Sequence, residues 1–140
     1  MTDPYASVKL VNTYHKKSDV TGKLVVVLHG RLEDRGCKLI IQPSRCVRAD
    51  EVHELILTDQ KDEKPGGTVD RIAYLGFFAA DVSGVIIAGD TLTIGGRKFG
   101  TVLGFDETHA PNHLNILIAG ERITGAEADL QPQDEVVFRQ

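Results

Sequence analysis

Read for the spacing of apolar and polar positions, the chain is a succession of short β-type segments. Residues 8–14 set Val8, Leu10 and Asn12 against Lys9, Val11 and Thr13, the pattern of a strand with one face better buried than the other. Residues 23–29 form a β-branched run continuous enough for burial on both faces, and Gly30 ends it. After a charged turn at residues 31–36, Cys37, Leu39 and Ile41 alternate with Lys38, Ile40 and Gln42 until Pro43 stops the strand. These two strands are expected to pair as a hairpin. Between Ser44 and Leu57 two periods compete, because Ala49, Val52, Leu55 and Ile56 fit a helical stripe while Val52, Glu54 and Ile56 fit alternation. The reading adopted is one short helix near residues 49–57, with Asp50 as its cap and Glu51 at the positive end of its dipole. Residues 58–67 have nothing apolar to bury and read as a polar loop.

The second half repeats the β pattern more clearly. Residues 69–78, 85–88, 91–94, 98–105, 114–119 and 135–139 are six β-type segments separated by Gly, Pro, Asp and Asn. Gly95-Gly96, between Ile94 and Arg97, is a tight-hairpin signal, since glycine tolerates the positive φ such a turn needs. Many short strands with frequent glycine predict a mainly β fold, a small closed or nearly closed β-barrel of antiparallel strands with one short helix. The last segment, residues 135–139, lies at a chain end and alternates Val136 and Phe138 with polar neighbours. It reads as an edge strand through which a homodimer would form.

Composition narrows the picture without assigning an activity. At 140 residues, 41% apolar and 26% charged, the chain has the size and make-up of one folded domain spanning residues 1–140. A net charge of -4 gives no global attraction to nucleic acid or anionic lipid. No apolar run is long enough to cross a bilayer and the first residues start no export signal, so a soluble, cytoplasmic protein is expected. Cys37 and Cys46 then read as reduced thiols rather than a bridge.

One stretch carries a family resemblance. Residues 88–104 (Ala-Gly-Asp-Thr-Leu-Thr-Ile-Gly-Gly-Arg-Lys-Phe-Gly-Thr-Val-Leu-Gly), followed by residues 113–119 and 130–138, resemble the glucitol/sorbitol-specific IIA component of the bacterial phosphotransferase system. The resemblance covers the last half of the chain and implies a shared barrel. That family accepts a phosphoryl group on a histidine just before the Gly-Asp turn. The matching residues 75–84 here (Leu-Gly-Phe-Phe-Ala-Ala-Asp-Val-Ser-Gly) contain no histidine, and neither Phe77, Phe78, Ala79 nor Ala80 offers a nucleophile. A shared reaction is therefore not expected.

Two constellations remain. His109-x-x-x-His113, with Asp106 beside it, has metal-ligand residue types, although Pro111 between the histidines favours a loop in which both are simply solvated. His29, Arg31, Cys37, Arg45 and Arg48 lie near one another in sequence and offer a nucleophile, a base and anion binders. Glu33, Asp34, Asp50 and Glu51 are equally able to neutralise those arginines as surface pairs. Gly95-Gly96 and Gly66-Gly67 lack the spacing of a nucleotide loop, so no cofactor is expected. The leading expectation is a ligand-binding or interaction module that does not accept phosphoryl groups and whose partner is a small molecule or protein. The alternative is a small enzyme or anion site around His29, Arg31, Cys37 and Arg45.

Overall fold

The structure, a computed structural model, describes residues 17–140, so the expected strand at residues 8–14 lies outside it. In chain order the strands are β1 (Val20–Val27), β2 (Arg31–Leu32), β3 (Cys37–Lys38), β4 (Ser44–Val47), β5 (Val52–Thr58) and β6 (Thr68–Val69). They continue with β7 (Ile72–Ala80), β8 (Gly84–Ile87), β9 (Thr91–Ile94), β10 (Arg97–Asp106), β11 (Asn115–Ala119) and β12 (Glu135–Arg139). Seven of them pair in a closed ring: β1 to β12, β9, β10, β11, β5 and β7, with β7 returning to β1. Within the ring β11 and β5 run parallel, and the other six contacts are antiparallel. β2 extends β7 outside the ring, and β3–β6 and β4–β8 are separate two-stranded ladders. The fold is mainly β, as the strand pattern predicts.

Local chemistry lets the sheet bend far enough to close. Register shifts fall at Leu24/Val26, Leu55/Ile56, Lys98/Gly100 and Val102/Gly104, and an extra residue on one strand kinks and twists it. At Gly100 the φ is +153° and a Cβ would run into the Ala119 carbonyl oxygen, so the crossing of β10 over β11 requires glycine. Gly95 and Gly96 adopt φ of +60° and +80° in the β9–β10 hairpin, opposing Ile94 to Arg97 as expected.

Two apolar clusters follow from strand alternation. Leu24, Leu55, Phe78, Leu92, Phe105, Ile116 and Phe138 belong to the larger, inside the ring. Ile56, Leu103 and Leu117, on the other face of their strands, pack with Cys37, Leu39, Val69 and Ile72. The β3–β6 ladder thus covers part of the ring's outer face. Strands β5, β10 and β11 are buried on both sides there.

Several expectations are corrected. Among the described residues there is no helix: the segment expected to be one is the turn at Asp50 followed by β5. Asp50 has φ +74°, which is incompatible with the extended conformation of a helix cap, and its N–H is donated to the Ala80 carbonyl instead. Residues 23–29 and 37–41 do not form a hairpin, because β1 is paired on both sides by β12 and β7 while β3 pairs with β6. Nor is β12 an edge. It lies between β1 and β9, so it presents no free edge for strand pairing with a second copy.

Candidate functional site

The alternation that builds the inner core also places polar side chains in one row on the outer face. Asp106 pairs in register with Asn115, Asn115 with Glu54, and Glu54 with Phe77, across β10, β11, β5 and β7. Each is the neighbour of an inner-core residue, respectively Phe105, Ile116, Leu55 and Phe78. Glu54, Asp106 and Asn115 are 7%, 2% and 0% exposed, which is uncommon for such residue types without partners. Asp106 accepts from Thr108 N (2.9 Å), Thr108 Oγ1 (2.5 Å) and Asn115 Nδ2 (3.3 Å). Glu54 has no comparable support. His113 Nε2 lies 3.5 Å from Glu54 Oε1, a separation that leaves this buried nitrogen without a hydrogen-bond partner among the described residues.

Three loops bring further groups over the row. Leu28 N donates to the Leu75 carbonyl and Tyr74 N to the Gly30 carbonyl, which fixes His29 beside β7. Arg35 N donates to the Asp70 carbonyl and Gly36 N to Asp70 Oδ1, which holds the Arg35 guanidinium over the cleft. Leu114 N donates to His53 Nδ1 (3.0 Å) and Glu54 N to the Leu114 carbonyl, so the β10–β11 loop delivers His113 directly to Glu54. His113 stands edge-on to Phe77 (5.1 Å between ring centres) and 5.0 Å from the His109 ring, and Arg35 Nη2 lies 3.3 Å from His109 Nε2. Leu28, His29, Arg35, Glu54, Tyr74, Phe77, His109 and His113 together line an open cleft of about 380 Å³.

The electrostatics of the cleft follow from that burial. Desolvation pushes the Glu54 carboxyl up to about 7, with Asp106 adding to the rise and Arg35 opposing it. Burial also holds His113 below the usual histidine range, helped by His109 and His53. His113 Nδ1 lies 2.7 Å from Asn112 Oδ1, and the tautomer that donates to this oxygen is the one that turns the Nε2 lone pair to Glu54. Near neutral pH the cleft thus holds the Arg35 guanidinium, the neutral His113 imidazole and a carboxyl poised between its two forms.

The residues singled out in the sequence are divided by the fold. His29 and His109 share this cleft with His113. Arg31 is turned away, pairing with Glu127 at 2.6 Å and the Arg122 carbonyl at 3.3 Å. Cys37 is buried behind Arg35, and its thiol is pushed up to about 12 by burial, the opposite of what a nucleophile requires. Arg45 lies 3.5 Å from Glu107 and, with Cys46, borders a separate recess of about 60 Å³. Arg48 is exposed, with its backbone N–H donated to Glu51. Around Asp106, His109 and His113, as elsewhere among the described residues, no three His, Cys, Asp or Glu side chains are placed to hold one metal ion. A larger depression of about 540 Å³ near Asp59, Lys61 and Lys98 gathers exposed charges and no buried ionisable group, so it does not compete as the candidate.

Glu54 and Asn115 are not among the residues that motif and spacing single out, yet each leaves a signal. A carboxylate in Glu54-Leu55-Ile56-Leu57 and an amide in Asn115-Ile116-Leu117-Ile118 interrupt runs that otherwise demand burial. Tyr74, by contrast, is an ordinary strand residue until β2 and the His29 turn are folded beside it.

A protein-family model described as "Family of unknown function (DUF6917)" matches residues 14–139. No curated protein and no solved structure matches the chain.

Proposed function

Because the chain belongs to DUF6917, a family described as of unknown function, we propose from its own geometry that it is a ligand-binding module whose outer-face cleft takes a small organic anion. The observation that carries this reading is the convergence of Arg35, Glu54, Tyr74, His29, His109 and His113 from separate segments onto one cleft with apolar walls at Leu28 and Phe77. A guanidinium supplies a forked donor for a carboxylate or phosphate, and the aromatic and imidazole rings give a planar ligand body surfaces to stack on. The alternative, chemistry built on His29, Arg31, Cys37 and Arg45 together, has less support, since the four line no common cavity.

Phosphoryl acceptance is not part of the reading. The resemblance to the glucitol/sorbitol IIA proteins enters it only as a barrel-like arrangement of strands. Incubation with the phosphorylated carrier protein and labelled phosphoenolpyruvate should leave the chain unlabelled, and an acid-labile label on His29 or His109 would refute this. The module is proposed to act in the cytoplasm, a setting that suits two free cysteines, Cys37 and Cys46. No helix among the described residues is long and apolar enough to cross a membrane.

Binding is tested by titrating isotope-labelled protein with acetate, benzoate, citrate and inorganic phosphate while following backbone amide shifts. Saturable shifts confined to Arg35, Glu54, Tyr74, His109 and His113 are expected for at least one of them. Arg35→Gln should weaken that ligand by about 10- to 100-fold, the usual worth of a charge-assisted contact. An absence of saturable shifts, or binding indifferent to Arg35→Gln, refutes the reading.

A further inference from the structure

Glu54 is hard to explain as a structural residue. Its carboxyl is buried on the cleft side of β5 and makes no side-chain hydrogen bond among the described residues, and His113 Nε2, without a hydrogen-bond partner there, faces it at 3.5 Å. Two acceptors facing each other in a poorly solvated site need a proton between them. A ligand anion sharpens that need. The groups around Glu54 are Arg35 on the β2–β3 loop, Cys37 on β3, Tyr74 on β7, Asp106 on β10, and His113 and His109 on the β10–β11 loop. His29, following β1, lies across the cleft. Of these, Arg35 is the one permanent cation, and Asp106 already stands against it. Cys37 stays a neutral thiol. A ligand carboxylate entering beside an ionised Glu54 would make three anions around one guanidinium, an arrangement a low-dielectric site does not hold.

We propose that the cleft binds an organic carboxylate together with one proton, taken up from solvent between Glu54 and His113, so that Glu54 meets the ligand as a neutral acid. This deepens the anion-binding reading and rests on it. In the bound state the protonated Glu54 carboxyl donates its one proton to His113 Nε2, and the ligand carboxylate accepts hydrogen bonds from Arg35 beside a neutral Glu54. Above about pH 7, where free Glu54 is ionised, one proton leaves the buffer for each ligand bound, and no covalent bond is made or broken.

The test is calorimetric titration of the full chain with benzoate, a carboxylate that stays ionised throughout the range used, at pH 5.5 to 8.5 and in two buffers of different ionisation enthalpy. Close to one proton should be taken up per benzoate at pH 8. The affinity should fall tenfold per pH unit above about 7, where free Glu54 ionises. Glu54→Gln, isosteric and permanently neutral, should abolish the uptake, flatten the profile and bind benzoate about tenfold more tightly than wild type at pH 8. Binding with buffer-independent heats and no fall above pH 7 overturns the proton-coupled inference while leaving the anion-binding reading intact. A pH profile unchanged in Glu54→Gln overturns the assignment to Glu54. No binding of benzoate at any pH overturns the proton-coupled inference, and the anion-binding reading then stands or falls on the four-anion titration. The wild-type buffer comparison measures proton uptake directly, and so decides the matter even where the variant fails to fold.

Discussion

The two faces of β5, β7, β10 and β11 are made from adjacent residues of the same strands, and they have opposite chemistry. On the inner face Leu55, Phe78, Phe105 and Ile116 belong to the apolar core. One residue away, the outer face presents Glu54, Phe77, Asp106 and Asn115 in a single cross-strand row. Both rows are shielded from bulk water, yet only the inner one is shielded by its own ring. The outer row is covered by loops carrying Arg35, His109 and His113, and such a cover leaves a cleft where packed strands would not. What separates core from site in this protein is therefore the nature of the covering layer rather than burial itself.

The contrast can be broken most forcefully from inside. Phe78 is fully buried against Phe138 (5.5 Å between ring centres), and Phe78→Ala should cost about 3–5 kcal/mol in urea-unfolding free energy. A loss below about 1 kcal/mol would mean the ring interior is loosely packed.

The cover over the outer row is probed by thiol chemistry. Cys46 is exposed and Cys37 is buried with its thiol pushed up to about 12. Iodoacetamide should modify Cys46 promptly and Cys37 only as fast as the protein opens. Equal labelling rates under native conditions would show that the residue 28–41 cover lifts readily from the ring.

A smaller effect, of definite sign, is expected at Glu54. Its folded pKa is raised to about 7 from an ordinary 4.5, so the folded state holds a proton that the unfolded chain releases over that window. Stability from this group is lost as pH rises from 4.5 to 7. Glu54→Gln removes the penalty. It should be more stable than wild type at pH 8, by about 1–2 kcal/mol after discounting for solvent at the cleft mouth, and no more stable at pH 4. The same variant less stable than wild type at pH 8 would show that the ionised carboxylate is held by contacts beyond those described.

The smallest effect belongs to the surface. Glu127 is held down to about 2 by Arg31, with further help from the Thr124 N–H, so its contribution is present above its unfolded 4.5 and lost as pH falls towards 2. Glu127→Gln should leave stability at pH 7 nearly unchanged and soften only the acid limb of the unfolding profile. A large loss at neutral pH would show that this turn anchors β2 more firmly than a surface pair can.

How far the chain can be read from its residues depends on the range of the interactions. Strands β7 to β12 are recognisable because glycines and prolines punctuate them locally, and the Gly95-Gly96 hairpin joins strands adjacent in sequence. Strand β5 reads as a helix because its residues satisfy both periods. The choice is made by β7 on one side and β11 on the other, which demand an extended backbone with both faces buried. The last strand looks like an edge for the same reason, since nothing near residue 135 reveals that β1, more than a hundred residues earlier, pairs with it.

The sequence by itself determined the mainly β character and the tight turns, since these depend on φ preferences and on side-chain period within a few residues. Tertiary structure alone decided that His29 and His109 belong together and that Arg31 and Arg45 do not join them. It also decided that Glu54 meets His113. Those outcomes depend on the register between strands distant in the chain, where a shift of one residue would carry the whole row to the other face.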